Sequence, residues 1–314
     1  MRVLVAGDAN LDLVLRGDVV PRFGQAEQLL DSADLVLGSS AGICASGLAR
    51  LGIDVALVAR VGADVFGDQT LRLLAANGVE TAAILQGDGP TGVSVVLSGA
   101  EDRAILTLTG AMAGLTAADV RERLFPGGAS QPAARHLHVA SYFLLPGLTD
   151  ELPALLAEAR SRGVTTSLDT NWDPAGAWAG VGDCLPHLDL FLPNAAEAMA
   201  IAGALGGEPE DAESAARLLA GHGPVVAVKD GAAGGFAVAG DRLERAPGLT
   251  VDVVDTTGAG DSFDAGFLAA WLQGRGLADA VRWGTAAGSL STRGSGGTGG
   301  QATRAELEAA LVGA

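Results

Sequence analysis

Apolar residues fall into two alternating rhythms along this chain. Short continuous runs, "RVLVAG" (2–7), "DVALVARVG" (54–62), "HLHVA" (136–140), "VTTSLD" (164–169), "LDLFLP" (188–193) and "PVVAVKDG" (224–231), have the length of buried strands. "DQTLRLLAANGV" (68–79) instead repeats its apolar positions at helical spacing and stops at a glycine, and "GLARLG" (47–52) ends the same way. Stretches near 149–162, 194–204 and 210–221 are also helix-like. Strand and helix alternate from start to end, which predicts an α/β fold: a mostly parallel sheet with helices on both faces. Two segments, 11–37 and 91–109, break the rhythm and hold no long helix. The second predicts a hairpin around the turn "SGAEDR" (98–103). The simplest organisation is one domain over 1–314, with these two segments forming a small β-lid inserted in it.

Composition narrows the function. A chain of 314 residues can bury a large core, and with 48% apolar but only 4% aromatic residues that core is expected to be Val, Leu and Ala. The net charge of −17, without any basic cluster, excludes a nucleic acid or an anionic membrane as partner. Lys229 is the only lysine. Positive potential for an anionic ligand must therefore be local: backbone N–H groups, a few arginines or metal ions. Cys44 and Cys184 lack metal-ligand spacing and read as buried apolar residues. No apolar run spans a bilayer and no secretory pattern is visible, so a cytoplasmic, reducing location is expected.

The stretch "VVDTTGAGDSF" (253–263) raises a chemical question. A predicted strand over "VDVV" (251–254) runs into Gly258-Ala259-Gly260, then Asp261, then an apolar helical run from Phe263 to Leu272. Glycines let backbone approach a bulky anion, and the first-turn N–H groups with the helix dipole favour negative charge there. A carboxylate beside such an anion hole is repulsive unless it has a task, and accepting the proton of an attacking hydroxyl is one. Spacing alone leaves open an ordinary helix start with a favourably placed acid.

The wider string resolves that choice. "DTTGAGDSFDAGFL" (255–268) resembles the C-terminal signature of the ribokinase-like, or PfkB, family of carbohydrate and nucleoside kinases. "VAGDANLDLVL" (5–15) looks like the family's first strand, and "GSSAGICASGLARLGIDVALVARVGADVFG" (38–67) like its N-terminal signature region. "LPNAAEA" (192–198) is similar to its Asn-x-x-Glu motif and "VKDGAAGG" (229–235) to its nucleotide-contacting turn. The resemblance implies a three-layer α/β/α sandwich with a β-lid, and ATP-dependent phosphorylation of a hydroxyl with Mg²⁺. Asp261 would be the general base, and Gly258, Ala259 and Gly260 the cradle of the transferring phosphoryl group. Asn194 and Glu197 would order Mg²⁺ largely through water; Lys229, Gly231, Gly234 and Thr257 would contact the nucleotide. Asp255 and Thr257 match contacts to a monovalent cation, K⁺. On the acceptor side Asp12 matches the sugar-binding acid, with Asn10, Gly38 and Ser39 beside it. Asp169 and Asn171 would face the phosphates or the waters of the metal, and a homodimer through the lid is a further expectation.

Several positions depart from the family pattern. Ile43 and Met112 stand where the family has asparagines, and Asp173 where some sugar kinases have arginine. Arg103 reads as a solvated turn residue and Tyr142 as a core residue. The reading is therefore a kinase of a small sugar or polyol. A nucleoside kinase, favoured if Ile43 and Met112 line the acceptor pocket, is an alternative; a non-catalytic ligand-binding protein is a weaker one, given Asp261, Asn194 and Glu197.

Overall fold

The computed structural model describes residues 2–24, 27–99 and 103–312; the centre of the expected turn over 98–103 lies outside them. In chain order the strands are β1 (Arg2–Ala6), β2 (Asn10–Gly17), β3 (Leu30–Leu37), β4 (Asp54–Val58), β5 (Arg60–Gly62), β6 (Leu85–Gly87), β7 (Gly92–Ser98) and β8 (Arg103–Leu108). They continue as β9 (His136–Val139), β10 (Thr165–Leu168), β11 (Leu190–Phe191), β12 (Val225–Lys229), β13 (Gly235–Ala239) and β14 (Arg242–Ala246). Helices α1 (Ser40–Arg50), α2 (Ala195–Ala204), α3 (Ala259–Leu272) and α4 (Leu277–Ser291) pack around them together with shorter helices.

Eight strands form the central sheet in the order β14-β13-β12-β11-β10-β9-β1-β4. Pairing is parallel from β12 to β4, with β13 and β14 added antiparallel at one edge. Alternation along each strand splits the core into two layers. Leu4 and Ala6 join one apolar layer with Leu137 and Val139, while Val3 and Val5 join the other with Phe263 and Phe267 of α3. Fully burying one such Val, Leu or Phe side chain contributes roughly 1.5–3 kcal/mol. No helix among the described residues is long and apolar enough to cross a membrane.

The two segments without helical rhythm supply strands of a second sheet, ordered β3-β2-β7-β8. Residue-by-residue pairing sets Arg16 of β2 opposite Ser98 of β7, and Ser98 opposite Arg103 of β8. The three therefore form one cross-strand row on one face of the sheet. Arg103 lies at the start of β8, not in a turn.

The apolar run at 251–254 is not a strand. The sheet ends at β14, and the N–H groups of Val254 and Asp255 donate to the Thr292 carbonyl at the end of α4 (2.8 and 3.1 Å). Val253 and Val254 stay exposed. The glycine-rich stretch 293–300 contains one short helical turn, Gly296–Gly299, against Val36 of β3.

Candidate active site

A cleft of about 810 Å³ opens where β10, β11 and β12 end and α3 begins. Asp169, Asn194, Glu197, Lys229 and Asp261 line it, with the turn Gly258-Ala259-Gly260. This is where a parallel sheet exposes helix N-termini and loops.

The turn is built by its glycines for two different reasons. Gly258 has φ +71°, and a Cβ there would lie 2.8 Å from Gly297 Cα, so backbone strain and close approach both demand glycine. At Gly260 a Cβ would meet only the Lys229 stem at 3.4 Å, an ordinary contact. The protein does not require glycine there, and the space it leaves belongs to the cleft. No side chain caps the first turn of α3. The Ala259 N–H, expected to join the anion hole, instead donates to the Thr256 carbonyl (3.3 Å), so the turn offers an anion chiefly the N–H groups of its two glycines.

Asp261 sits in that first turn and is nearly buried. Burial, with the nearby Asp169 charge, pushes its carboxyl up to about 7; the Lys229 ammonium and the Ser40 hydroxyl pull the other way. Ser40 belongs to a chain of contacts. The Ser141 N–H donates to Asn171 Oδ1 (3.1 Å), and Asn171 Nδ2 donates to Ser40 Oγ. With its oxygen accepting from Asn171, the Ser40 hydroxyl has its proton left for the Asp261 carboxylate. Asn171 and Ser141 both hold left-handed backbone, φ 57° and 60°, which non-glycine residues adopt at a cost.

Lys229 lies under this turn. Its ammonium donates to Asp169 Oδ2 (2.8 Å) and Asp264 Oδ2 (3.2 Å), so much of its charge is spent on two buried carboxylates. Its pKa rises, and that of Asp169 falls below the usual carboxylate range; in both, the mutual attraction outweighs burial. Asp264 moves well up by burial, and its Oδ1 has no hydrogen-bond partner. The sequence reading passed over Asp264, one helical turn beyond Asp261; the i, i+3 spacing of two acids inside an apolar helix was the available signal.

Asn194 and Glu197 interlock at the start of α2. The Asn194 side chain accepts from the Glu197 N–H (2.9 Å), and the Glu197 carboxylate accepts from the Asn194 N–H (2.8 Å). This capping box fixes both side chains at the rim of the cleft. Burial and the Asp169 charge push Glu197 up to about 7. Hard oxygen donors at the rim, with Asp169 close enough to raise Glu197, suit a cation that completes its shell with phosphate and water. Gly231 and Gly234, between β12 and β13, line the same cleft.

A second cluster lies at the junction of the two sheets. Asn10 Nδ2 donates to Asp12 Oδ1 (3.1 Å) and Ser94 Oγ (3.4 Å). Burial and the Asp8 charge push Asp12 up to about 6. Gly38 backs this pair: a Cβ there would lie 2.1 Å from Asp12 Oδ1. Ser39 spends its hydroxyl as the N-cap of α1, accepting from the Gly42 N–H. Asp8, which the sequence reading left unassigned, accepts from the Ala41 and Ser40 N–H groups (2.9 and 3.2 Å). Ile43 and Met112 do not line the cleft. Ile43 packs on Gly258 and Gly297 beneath the turn, and Met112 is buried in the core. Tyr142 is buried; Asp173 turns into its own loop and accepts from the Ala175, Ala177 and Trp178 N–H groups.

Asp255 and Thr257 both have partners within the protein. Asp255 accepts from the Thr257 N–H (2.9 Å), the Gly296 N–H (3.0 Å) and Arg16 Nη2 (3.1 Å). Arg103 Nη1 donates to Thr257 Oγ1 (3.3 Å). The residues expected to hold a monovalent cation are thus held by arginines of the second sheet.

Known proteins resemble this chain along nearly its whole length. The family model described as pfkB family carbohydrate kinase matches residues 5–304. The chain is 31% identical over 296 residues to an ATP-dependent ribose-1-phosphate kinase of Halopiger xanaduensis, covering 93% of this chain and 92% of the relative. It is 29% identical over 313 residues to a ribokinase of Bacillus subtilis, covering 98% and 99%. A putative ribokinase II from E. coli, solved in complex with ATP and Mg²⁺, superimposes with a TM-score of 0.84 at 21% identity, covering 100% of this chain and 99% of that one.

Proposed function

This chain belongs to the pfkB family of carbohydrate kinases, and from that premise we propose that it transfers the γ-phosphoryl group of ATP to a hydroxyl of a small sugar or polyol. The observation that carries the reading is the junction at the start of α3, where uncapped first-turn amides and a buried carboxylate tuned to about 7 share one cleft. Asp261 accepts the proton as the acceptor oxygen bonds to the γ-phosphorus and the bond to the departing ADP breaks. The amides of Gly258 and Gly260 stabilise the charge that develops on the phosphoryl oxygens. Mg²⁺, held largely through water by Glu197 and Asn194, would supply further charge neutralisation. Gly231 and Gly234 let backbone meet the nucleotide, and Lys229 acts as counter-ion to Asp169 and Asp264 at the floor of its site. Asp12 and Asn10 orient vicinal hydroxyls of the acceptor, with Gly38 leaving room for both.

The second sheet acts as a lid that excludes water from the cleft. Leu106 and Leu108 on its edge strand β8 and Leu35 on β3 are exposed on one face, and this surface suits pairing with a second copy of the chain in the cytoplasm. A nucleoside kinase remains the alternative, and Ile43 and Met112, both buried, do not decide between the two.

The test is an ADP-release screen over sugars, polyols, sugar acids and nucleosides, repeated with Asp261→Asn. A sugar or polyol should turn over, and the variant should lose roughly 10²–10⁴ in kcat. Parental turnover by the variant would remove Asp261 from the role of base.

A further inference from the structure

The turn that precedes Asp261 is fastened to the lid at two points. Arg16 and Arg103 stand in one cross-strand row with Ser98 between them, so both leave the same face of the lid sheet. Arg16 forks. One amino group donates to Asp34 Oδ2 on β3 (2.7 Å), the other to Asp255 Oδ2 (3.1 Å) and Ser295 Oγ (2.9 Å). Arg103 reaches Thr257. Asp255 in turn ties the Thr257 N–H to the Gly296 N–H, joining the catalytic turn to the glycine stretch. The Asp255 side chain is only 13% exposed, and bonds to backbone N–H groups and the Arg16 charge hold its carboxyl below the usual range. Arg16 thus already brings a positive charge onto this carboxylate, where a metal cation would otherwise supply one.

We propose that Arg16 and Arg103 form a lid-borne clamp that takes the place of a monovalent cation at Asp255 and Thr257, so that seating the lid fixes the turn carrying the amides and Asp261. The proposal rests on the kinase reading of that turn. It makes both arginines positioning residues that act through the residues just before Gly258, although Arg103 also lines the cleft. A planar guanidinium suits this task because it satisfies a carboxylate and a hydroxyl in fixed directions, which a spherical ion or an ammonium does not.

The experiment compares parent, Arg16→Ala, Arg16→Lys and Arg103→Ala in KCl and in choline chloride at equal ionic strength. Three quantities are read: melting temperature, Kd for MgATP, and kcat and KM with the acceptor found by the screen. The parent should give the same melting temperature, Kd and kcat in both salts. Arg16→Ala should lose at least about tenfold in kcat in choline chloride, with KM for the acceptor little changed, and should regain part of the loss in KCl. Arg16→Lys, which keeps the charge but not the fork, should fall between Ala and parent. A parent that is stabilised or activated by K⁺ over choline overturns the proposal. So does an Arg16→Ala protein with parental kcat in choline chloride. If Arg16→Ala does not fold, Arg16→Lys and the salt comparison on the parent still decide. If no acceptor turns over, the kinase reading fails while melting temperature and Kd still judge the clamp.

Discussion

At the scale of single residues the site is a contest over one proton. Asp261 must be ionised to accept a proton, yet burial and Asp169 favour its neutral form. Lys229 and the Ser40 hydroxyl counter them. The acidic limb of kcat/KM should therefore fall near pH 7 in the parent, with activity lost as pH drops through it. Ser40→Ala removes one stabiliser of the ionised form, so its limb should move to higher pH, while kcat well above the limb stays close to the parent's. Profiles from pH 5.5 to 9 measure this; an unmoved limb would show that the Ser40 hydroxyl does not bear on the base. Asp261 was legible in the sequence because base and amides lie within four consecutive residues. The Asn171–Ser40 contact was not, because it joins positions 131 apart that only the closed sheet brings together.

At the scale of elements, α3 shows how much a pattern of apolar and polar positions can say. The helix and its glycine entry were readable, but the strand expected before it was not formed. An apolar run says that a segment avoids water somewhere, not that a free sheet edge awaits it; here β14 already closes that edge. The start of α1 at Ser40 was likewise hidden, since "SAGICAS" has no charged face, and its signal is the Ser39 cap at φ 70°. The two glycines of the turn should separate cleanly. Gly258→Ala meets both a positive φ and Gly297, and should cost roughly 1–3 kcal/mol of stability. Gly260→Ala lies in helical backbone with ordinary contacts, and should gain up to about 1 kcal/mol from helix propensity. Its methyl group enters the cleft, so the KM for MgATP should rise even as the protein becomes more stable. Thermal denaturation and ATP kinetics on both variants check the pair; an active, unaltered Gly260→Ala would mean that position does not admit phosphate.

At the scale of the whole molecule, the site opposes the stability of the fold that holds it. Asp8, Asp12, Glu197, Asp261 and Asp264 all have raised pKa values in the folded chain. Between their unfolded and folded values the native state binds more protons than the unfolded one, and stability falls as pH rises through that window. His136 and His138 act in the opposite sense, because burial lowers them to about 3 and about 4 and the unfolded chain takes up their protons first. That opposing effect ends above the ordinary histidine value of about 6.5. From pH 6.5 to 8 it fades while the carboxylates still act, with Glu197 and Asp261 giving up their protons near 7, so the urea midpoint of the ligand-free protein should be lower at pH 8 than at pH 6.5. Asp261→Asn removes one of these ionisations. It should stabilise the protein at pH 8 by about 1 kcal/mol or more and have much less effect at pH 5.5, while abolishing turnover. A variant that is inactive but more stable separates lost chemistry from lost fold. An Asp261→Asn protein less stable than the parent at pH 8 would mean that the carboxylate supports the fold, and that the cleft does not hold a strained base.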